Sequence, residues 1–250
     1  MKKLALLVIT LFTIGFVQSQ TKKSEKMRKK ILFVVTSHDK KGNTGENTGY
    51  YLGEVSHPWE VLRNAGYEID FVSPEGGAPP VDGFDLKDPV NKAFWENEEY
   101  RNKIEHSFTP SQVNPSDYST IFYAGGHGAM WDFADDTELA AIASKIYTNE
   151  GIVAAVCHGP AGLVNIKLDT GKYLVEDKKI NAFTNEEEAE VKLTHVVPFL
   201  LEDKLKERGA KFEKSGPWQN HVVTDRRVIT GQNPQSAKSV GEAIVKELNR

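Results

Sequence analysis

The run Val156-Cys157-His158-Gly159-Pro160 sets the only cysteine of this 250-residue chain directly before a histidine and a Gly-Pro pair. A thiolate is the strongest common side-chain nucleophile, so a Cys beside a His is a candidate for covalent chemistry. Gly159 allows a sharp turn and Pro160 can open a helix at its first position. A thiol on such a turn is the cysteine counterpart of the serine nucleophile elbow, and it would face unpaired helix N–H groups that favour the thiolate. Consecutive side chains of a regular strand point to opposite faces, so His158 reaches Cys157 only if the chain turns here. A lone cysteine forms no intrachain disulfide, and its retention in an oxidising compartment invites a functional explanation. A buried Cys also serves as a small hydrophobe, and composition alone does not separate the two uses.

Two further loops carry residues that suit the same chemistry. Gly125-Gly126 offers backbone N–H groups with no side chain in the way, as a developing oxyanion requires, although Gly pairs often only make turns. His127 comes next, as a residue that caps or lines the cleft. Glu54 stands shortly before a helix predicted at His57, where an ordinary charge favours the N-terminus.

These loops need a frame. Residues 31–36 (Ile-Leu-Phe-Val-Val-Thr) form a β-branched run expected of a strand buried on both faces. A polar, Gly-rich loop over 37–53 leads to a helix over 57–65, with Pro58 in its first turn and Gly66 closing it, and 67–73 reads as a second strand. Strand, crossover helix and strand make a parallel unit. The alternation returns with strands at 120–124 and 152–156 around a helix at 136–149. A Pro/Gly segment (74–89) and a charged helix (91–105) lie between. A hairpin at 221–224 and 227–230 and a closing helix over 234–248 complete the chain. The expectation is a doubly wound, mostly parallel α/β domain over residues 30–250, with its site beyond the carboxyl ends of the strands.

Lys2 and Lys3 precede an apolar run over 4–17, and small Ser19 comes after it, the pattern of a secretory signal peptide over 1–19, with a basic leader at 20–29. The run is shorter than the roughly 20 residues that span a bilayer, so the expectation is an exported product, periplasmic or extracellular, without a membrane span after processing. Losing two of the 31 basic residues leaves 29 against 35 acidic ones, a formal charge of −6, which argues against nucleic acid as a partner.

Taken together, the segments Gly53-Glu54-Val55-Ser56-His57-Pro58, Gly125-Gly126-His127-Gly128, Ala155-Val156-Cys157-His158-Gly159-Pro160 and Phe183-Thr184-Asn185-Glu186-Glu187-Glu188 resemble the ThiJ/PfpI branch of the class I glutamine amidotransferase-like superfamily. The likeness is to its larger members, glutathione-independent glyoxalases (glyoxalase III) and heat-shock-type holding chaperones. The resemblance implies a flavodoxin-like sheet with small insertions. It implies Cys157 as nucleophile, Glu54 as the acid touching the thiol, His158 as base, and Glu186, with Glu187 as runner-up, as the acid orienting His158. Gly125, Gly126, His127 and Gly159 would serve the oxyanion and the substrate, with N–H groups of Gly126 and His158 as donors. The implied reaction is a lyase's conversion of methylglyoxal, a small dicarbonyl, and water to lactate. Removal of glycation adducts from proteins is the rival, and peptidase activity a weaker one. A holding chaperone for unfolded chains is the rival of another class; Phe94, Trp95 and Tyr100 are candidates for its apolar surface, although core packing is the commoner use of aromatics at those spacings. Metal ligands are known in some bacterial relatives but are not placed on residues of this sequence, so no metal and no cofactor is predicted, and a homodimer is expected. Glutamine hydrolysis is disfavoured, because Pro160-Ala161-Gly162 replaces the glutamine that stands soon after the nucleophile in amidotransferases.

Overall fold

The first β-branched run becomes the strand β1, Lys30–Val34, in a computed structural model that describes residues 30–250. The expected signal peptide and basic leader lie outside the described residues. Four more parallel strands join it: β2 (Glu68–Val72), β3 (Tyr118–Tyr123), β4 (Ile152–Val156) and β6 (Val228–Gly231). The antiparallel β5 (Val222–Asp225) closes one edge, giving the order β2-β1-β3-β4-β6-β5. The order 2-1-3-4 belongs to doubly wound, flavodoxin-like sheets, whose ligands bind beyond the carboxyl ends of the strands.

Alternation along the strands divides the core. Ile31, Phe33, Phe122, Ala154 and Val156 face one side, where they meet Val55, Trp59 and Leu62 of α1 (Leu52–Asn64) and Val240 and Ile244 of α7 (Ala237–Leu248). Leu32, Val34, Ile121, Tyr123, Val153 and Ala155 face the other, against Leu139, Ile142 and Ile146 of α4 (Thr137–Thr148). Each fully buried aliphatic or aromatic side chain contributes about 1.5–3 kcal/mol. The two layers therefore hold the strand ends that carry the site. Asp136 caps α4 by accepting the Leu139 N–H, as its place before the helix predicts.

Two elements depart from expectation in ways that matter. The first helix begins at Leu52, not His57, so Glu54 lies in its first turn and Pro58 well inside it. Pro58 has no N–H to return to the carbonyl of Glu54, four residues back, but α1 survives because it packs closely on α7. Gly241 permits that approach: a Cβ there would stand 3.0 Å from the Pro58 Cα. The charged segment 91–105 is two helices, α2 (Pro89–Glu96) and α3 (Glu98–Glu105), because the Asn97 side chain turns back to cap the Tyr100 N–H. Phe94 and Tyr100 of these helices are core residues, edge-on to Trp59 at 5.2 and 5.5 Å, the core packing expected of aromatics at those spacings, and so are not available to an exposed apolar surface. Trp95 is partly buried against exposed Phe84. Among the described residues no helix is long and apolar enough to cross a membrane. The short helices α5 (Asn185–Glu190) and α6 (Leu201–Glu207) come after the site strand β4.

Candidate active site

Cys157 ends β4 with φ at +60°, the left-handed conformation that L-residues seldom adopt, and the sharp turn expected of the Gly-Pro pair is therefore present. The strained residue is clamped from both sides: its N–H donates to the Gly231 carbonyl at 2.9 Å and its carbonyl accepts the Phe183 N–H at 2.8 Å. The turn swings His158 alongside, bringing Nδ1 to 3.4 Å from the Cys157 Sγ. Gly159 sits where a Cβ would stand 2.1 Å from the Tyr123 carbonyl oxygen. The missing side chain thus permits close packing against the end of β3.

From α1 the fully buried Glu54 carboxyl stands beside the same sulfur, with Oε1 making no hydrogen bond in the structure, while Oε2 accepts the Gly125 N–H at 2.8 Å. This explains why position 125 is glycine, since a Cβ there would lie 2.5 Å from the Glu54 Oε2 and 2.8 Å from the His158 nitrogen. It also corrects the assignment of Gly125 as an oxyanion donor, because its N–H is already committed. Gly126, at φ +97° and too tightly packed on the Gly49 carbonyl for any side chain, keeps an N–H with no backbone partner. The His158 N–H is directed at the Cys157 sulfur.

Burial raises the Glu54 pKa to about 8, even though its contacts with Cys157 and Gly125 pull the other way. Burial likewise pushes the Cys157 thiol well up, and an ionised Glu54 pushes it further. The element that follows is a five-residue 3₁₀ turn, Gly159–Leu163, in place of the helix expected at Pro160, and a turn that short offers little dipole to favour the thiolate. Below about pH 8 Glu54 holds its proton and faces the sulfur as an acid. The resting site is thus a neutral thiol between a protonated carboxyl and an imidazole.

The acid that orients His158 is neither Glu186 nor Glu187. His158 Nε2 lies 2.8 Å from Glu188 Oε2, and both groups are buried. Glu186 points to solvent and pairs with Lys214 at 3.0 Å. Glu187 turns back on its own helix, where Oε2 accepts the N–H and hydroxyl of Thr184 in a capping box. Its Oε1 accepts from the Trp218 N–H, Asn233 Nδ2 and Gln232 Nε2, tying the loop before β5 and the loop after β6 to the site. The signal was legible: Thr184-x-x-Glu187 is the capping-box pattern, which removes Glu187 from contention.

His127 joins the same carboxylate, with Nε2 3.0 Å from Glu188 Oε1 and its ring centroid 4.1 Å from that of His158. Burial works to raise the Glu188 pKa, but the two imidazoles outweigh it and hold the carboxyl at about 2. Burial, aided by neighbouring His127 and opposed by Glu188, lowers His158 to about 4. Phe183 covers the two rings, with centroids 4.3 Å from His158 and 5.9 Å from His127, and Trp218 in turn leans on Phe183. Tyr51, whose hydroxyl is held protonated by burial and by nearby Glu54 and Cys157, is partly exposed beside the site with Trp218. Tyr51, Phe183, Trp218 and Glu188 are residues that sequence reasoning did not assign. A cleft of about 510 Å³ is lined by Ser37, His38, Asp39, Glu75 and Asp132, among others, and by none of Glu54, His127, Cys157, His158 and Glu188.

The arrangement can add a thiol to an electrophilic carbon while moving its proton to His158, with the protonated Glu54 as an acid beside the sulfur. Comparison with known proteins finds the same architecture. The chain is 37% identical to the glutathione-independent glyoxalase HSP31 of Saccharomyces cerevisiae over 88% of its length and 98% of that protein's. It is 34% identical to glyoxalase 3 of Candida albicans, covering 86% of this chain and 97% of the other. Among solved structures, glyoxalase III from Candida albicans superposes with a TM-score of 0.82 at 32% identity, covering 88% of this chain and 98% of that one. The rapid encystment protein of 24 kDa from Francisella tularensis superposes at 0.85 with 40% identity, covering 88% and 99%. Residues 48–247 match the DJ-1/PfpI family model, a span that includes Glu54, the Gly125-Gly126 turn, the Cys157 elbow and Glu188. With the family's sheet, and with relatives matched along nearly their whole length, this chain belongs to the DJ-1/PfpI family.

Proposed function

We propose that the protein is an enzyme, a glutathione-independent glyoxalase that converts methylglyoxal and water to lactate, in class terms a lyase. The observation that carries the reading is the buried Cys157 in contact with two proton-handling groups, Glu54 and His158, in a chain whose relatives of matching length bear the glyoxalase name. A glyoxalase that uses no external thiol needs a nucleophile of its own and a base that works on carbon.

The steps balance without an oxidant. The Cys157 sulfur bonds to the aldehyde carbon as the thiol proton passes to His158 Nδ1, and the imidazolium returns that proton to the carbonyl oxygen, giving the hydroxyl of a hemithioacetal. The N–H groups of Gly126 and His158 face the developing oxyanion. Glu54 gives its proton to an oxygen of the adduct and, as carboxylate, takes the hydrogen of the former aldehyde carbon. The resulting enediol collapses when Glu54 returns the proton to the neighbouring carbon and takes the hydroxyl proton from the sulfur-bearing carbon, which leaves a lactoyl thioester and a protonated Glu54. Water then cleaves the S–C bond, releasing lactate and the thiol. A group whose pKa lies near ambient pH suits such shuttling, and burial gives Glu54 that property.

The test is lactate formation from methylglyoxal by the purified protein beside Cys157→Ala. Lactate from the wild type alone supports the reading, and none from either ends it. The rival, removal of glycation adducts, uses the same thiol and is separated by holding the adduct constant while free aldehyde is trapped. The apolar run behind Lys2 and Lys3 supports export with cleavage after Ser19, checked by the mass of the mature chain.

A further inference from the structure

We propose that His127, His158 and Glu188 together form a binding site for a divalent transition metal of the zinc type, one that competes with the catalytic use of His158. Their ligand-capable atoms all lie within 4.8 Å of one another. Each imidazole presents Nε2 to a different oxygen of the one carboxylate, at 3.0 Å for His127 and 2.8 Å for His158. Two ligands about 2.0–2.1 Å from a tetrahedral ion stand roughly 3.3 Å apart, so small movements would seat a metal among these atoms. Two imidazoles with one carboxylate is also a donor set that zinc accepts while keeping a position open for water. His158 and Glu188 are nearly inaccessible, whereas the His127 side chain is 16% exposed and provides the way in.

The chemical consequence comes from the two nitrogens of His158. Without metal, Nε2–H donates to Glu188 and the Nδ1 lone pair faces the Cys157 sulfur, able to take its proton. A metal on Nε2 forces the ring's single proton onto Nδ1. The base toward Cys157 then becomes a donor, with no net proton released by that ring. His127 shifts its proton in the same way. Cys157 is not a ligand, since it stands at the far nitrogen of His158. Metal occupancy and acceptance of the thiol proton by His158 are therefore mutually exclusive, and zinc would act as a reversible inhibitor. The inhibition rests on the glyoxalase reading, whereas the binding does not.

The experiment titrates the purified, chelator-stripped protein with Zn²⁺ in competition with a chromophoric chelator, and repeats it with Co²⁺ to record the visible spectrum. One ion per chain is expected, with a Co²⁺ spectrum lacking the near-ultraviolet band of a thiolate ligand. Cys157→Ala should keep the affinity within about twofold, while His127→Ala and Glu188→Gln should each weaken it on the order of 10- to 100-fold or more. Circular dichroism checks that the variants fold, and His127→Asn gives a second, milder change at the partly exposed position. No binding by the wild type, unchanged affinity in folded His127→Ala, or binding lost in Cys157→Ala would each overturn the site. Methylglyoxal turnover that falls with Zn²⁺ and returns with chelator supports the competition for His158, and turnover indifferent to bound Zn²⁺ overturns it. A protein that binds zinc but makes no lactate keeps this site and loses the glyoxalase reading; the converse keeps the enzyme and loses the site.

Discussion

Replacing Glu54 by Gln should change how stability depends on pH more than any other single substitution in the site. The Glu54 carboxyl is fully buried and titrates near 8 in the folded protein against 4.5 for an ordinary glutamate. Between those values the folded state holds a proton that the unfolded state has released, so wild-type stability falls as pH rises through that window. Each pH unit corresponds to about 1.4 kcal/mol, and the window therefore carries a ceiling of about 5 kcal/mol, against a total stability of roughly 5–15 kcal/mol for a typical domain. Relaxation around the buried charge reduces this, and a loss of about 2–5 kcal/mol by pH 8 is expected. The substituted glutamine would keep an oxygen for the Gly125 N–H and an amide N–H for the sulfur, but cannot ionise. Urea unfolding of both proteins at pH 5, 6, 7 and 8 isolates the effect, because all other groups titrate alike in the pair. The stability difference in favour of the variant should grow steadily from pH 5 to pH 8. A difference that stays flat across this range would refute a protonated Glu54, and with it the donor role toward Cys157. Lactate formation should collapse in the variant at every pH.

Substitutions at Glu188, Glu186, Gly125 and Cys157 also have outcomes set by the geometry. Glu188→Gln removes a buried, charge-assisted partner of His158 worth about 1.5–3 kcal/mol and should lower kcat/KM about 10- to 100-fold, whereas Glu186→Gln, on the surface, should stay within about twofold. Because Glu188 is held at about 2, the stability it confers is present above pH 4.5 and lost as pH falls toward 2, so Glu188→Gln should flatten the acid limb of a pH–stability curve. Gly125→Ala drives a methyl group against Glu54 and the His158 backbone, and should cost about 1–3 kcal/mol by thermal or urea unfolding together with most of the activity. Cys157→Gly should unfold at higher urea than Cys157→Ala, by up to about 1 kcal/mol, because glycine adopts φ +60° without strain.

What the sequence determined is what local chemistry can specify. The β-branched run at 31–35, the alternation of strands and helices, and the Gly-Pro pair after Cys157 were enough to place a doubly wound sheet with a thiol on a sharp turn. The capping pattern from Thr184 to Glu187 was equally present in the chain. Tertiary structure decided the rest, because those outcomes depend on groups far apart in sequence. Glu54 becomes a proton holder only because α1 starts early and buries it beneath Gly125, 71 residues on. The Cys157 thiol is raised rather than lowered because the fold buries it away from water and sets it beside that carboxyl. Three consecutive glutamates look alike in sequence. A helix advances about 100° per residue, so one faces Lys214, one faces its own cap and one faces two histidines. The choice among them, and the convergence of His127 and His158 on the third, belongs to the packing of α5 beneath the ends of β3 and β4.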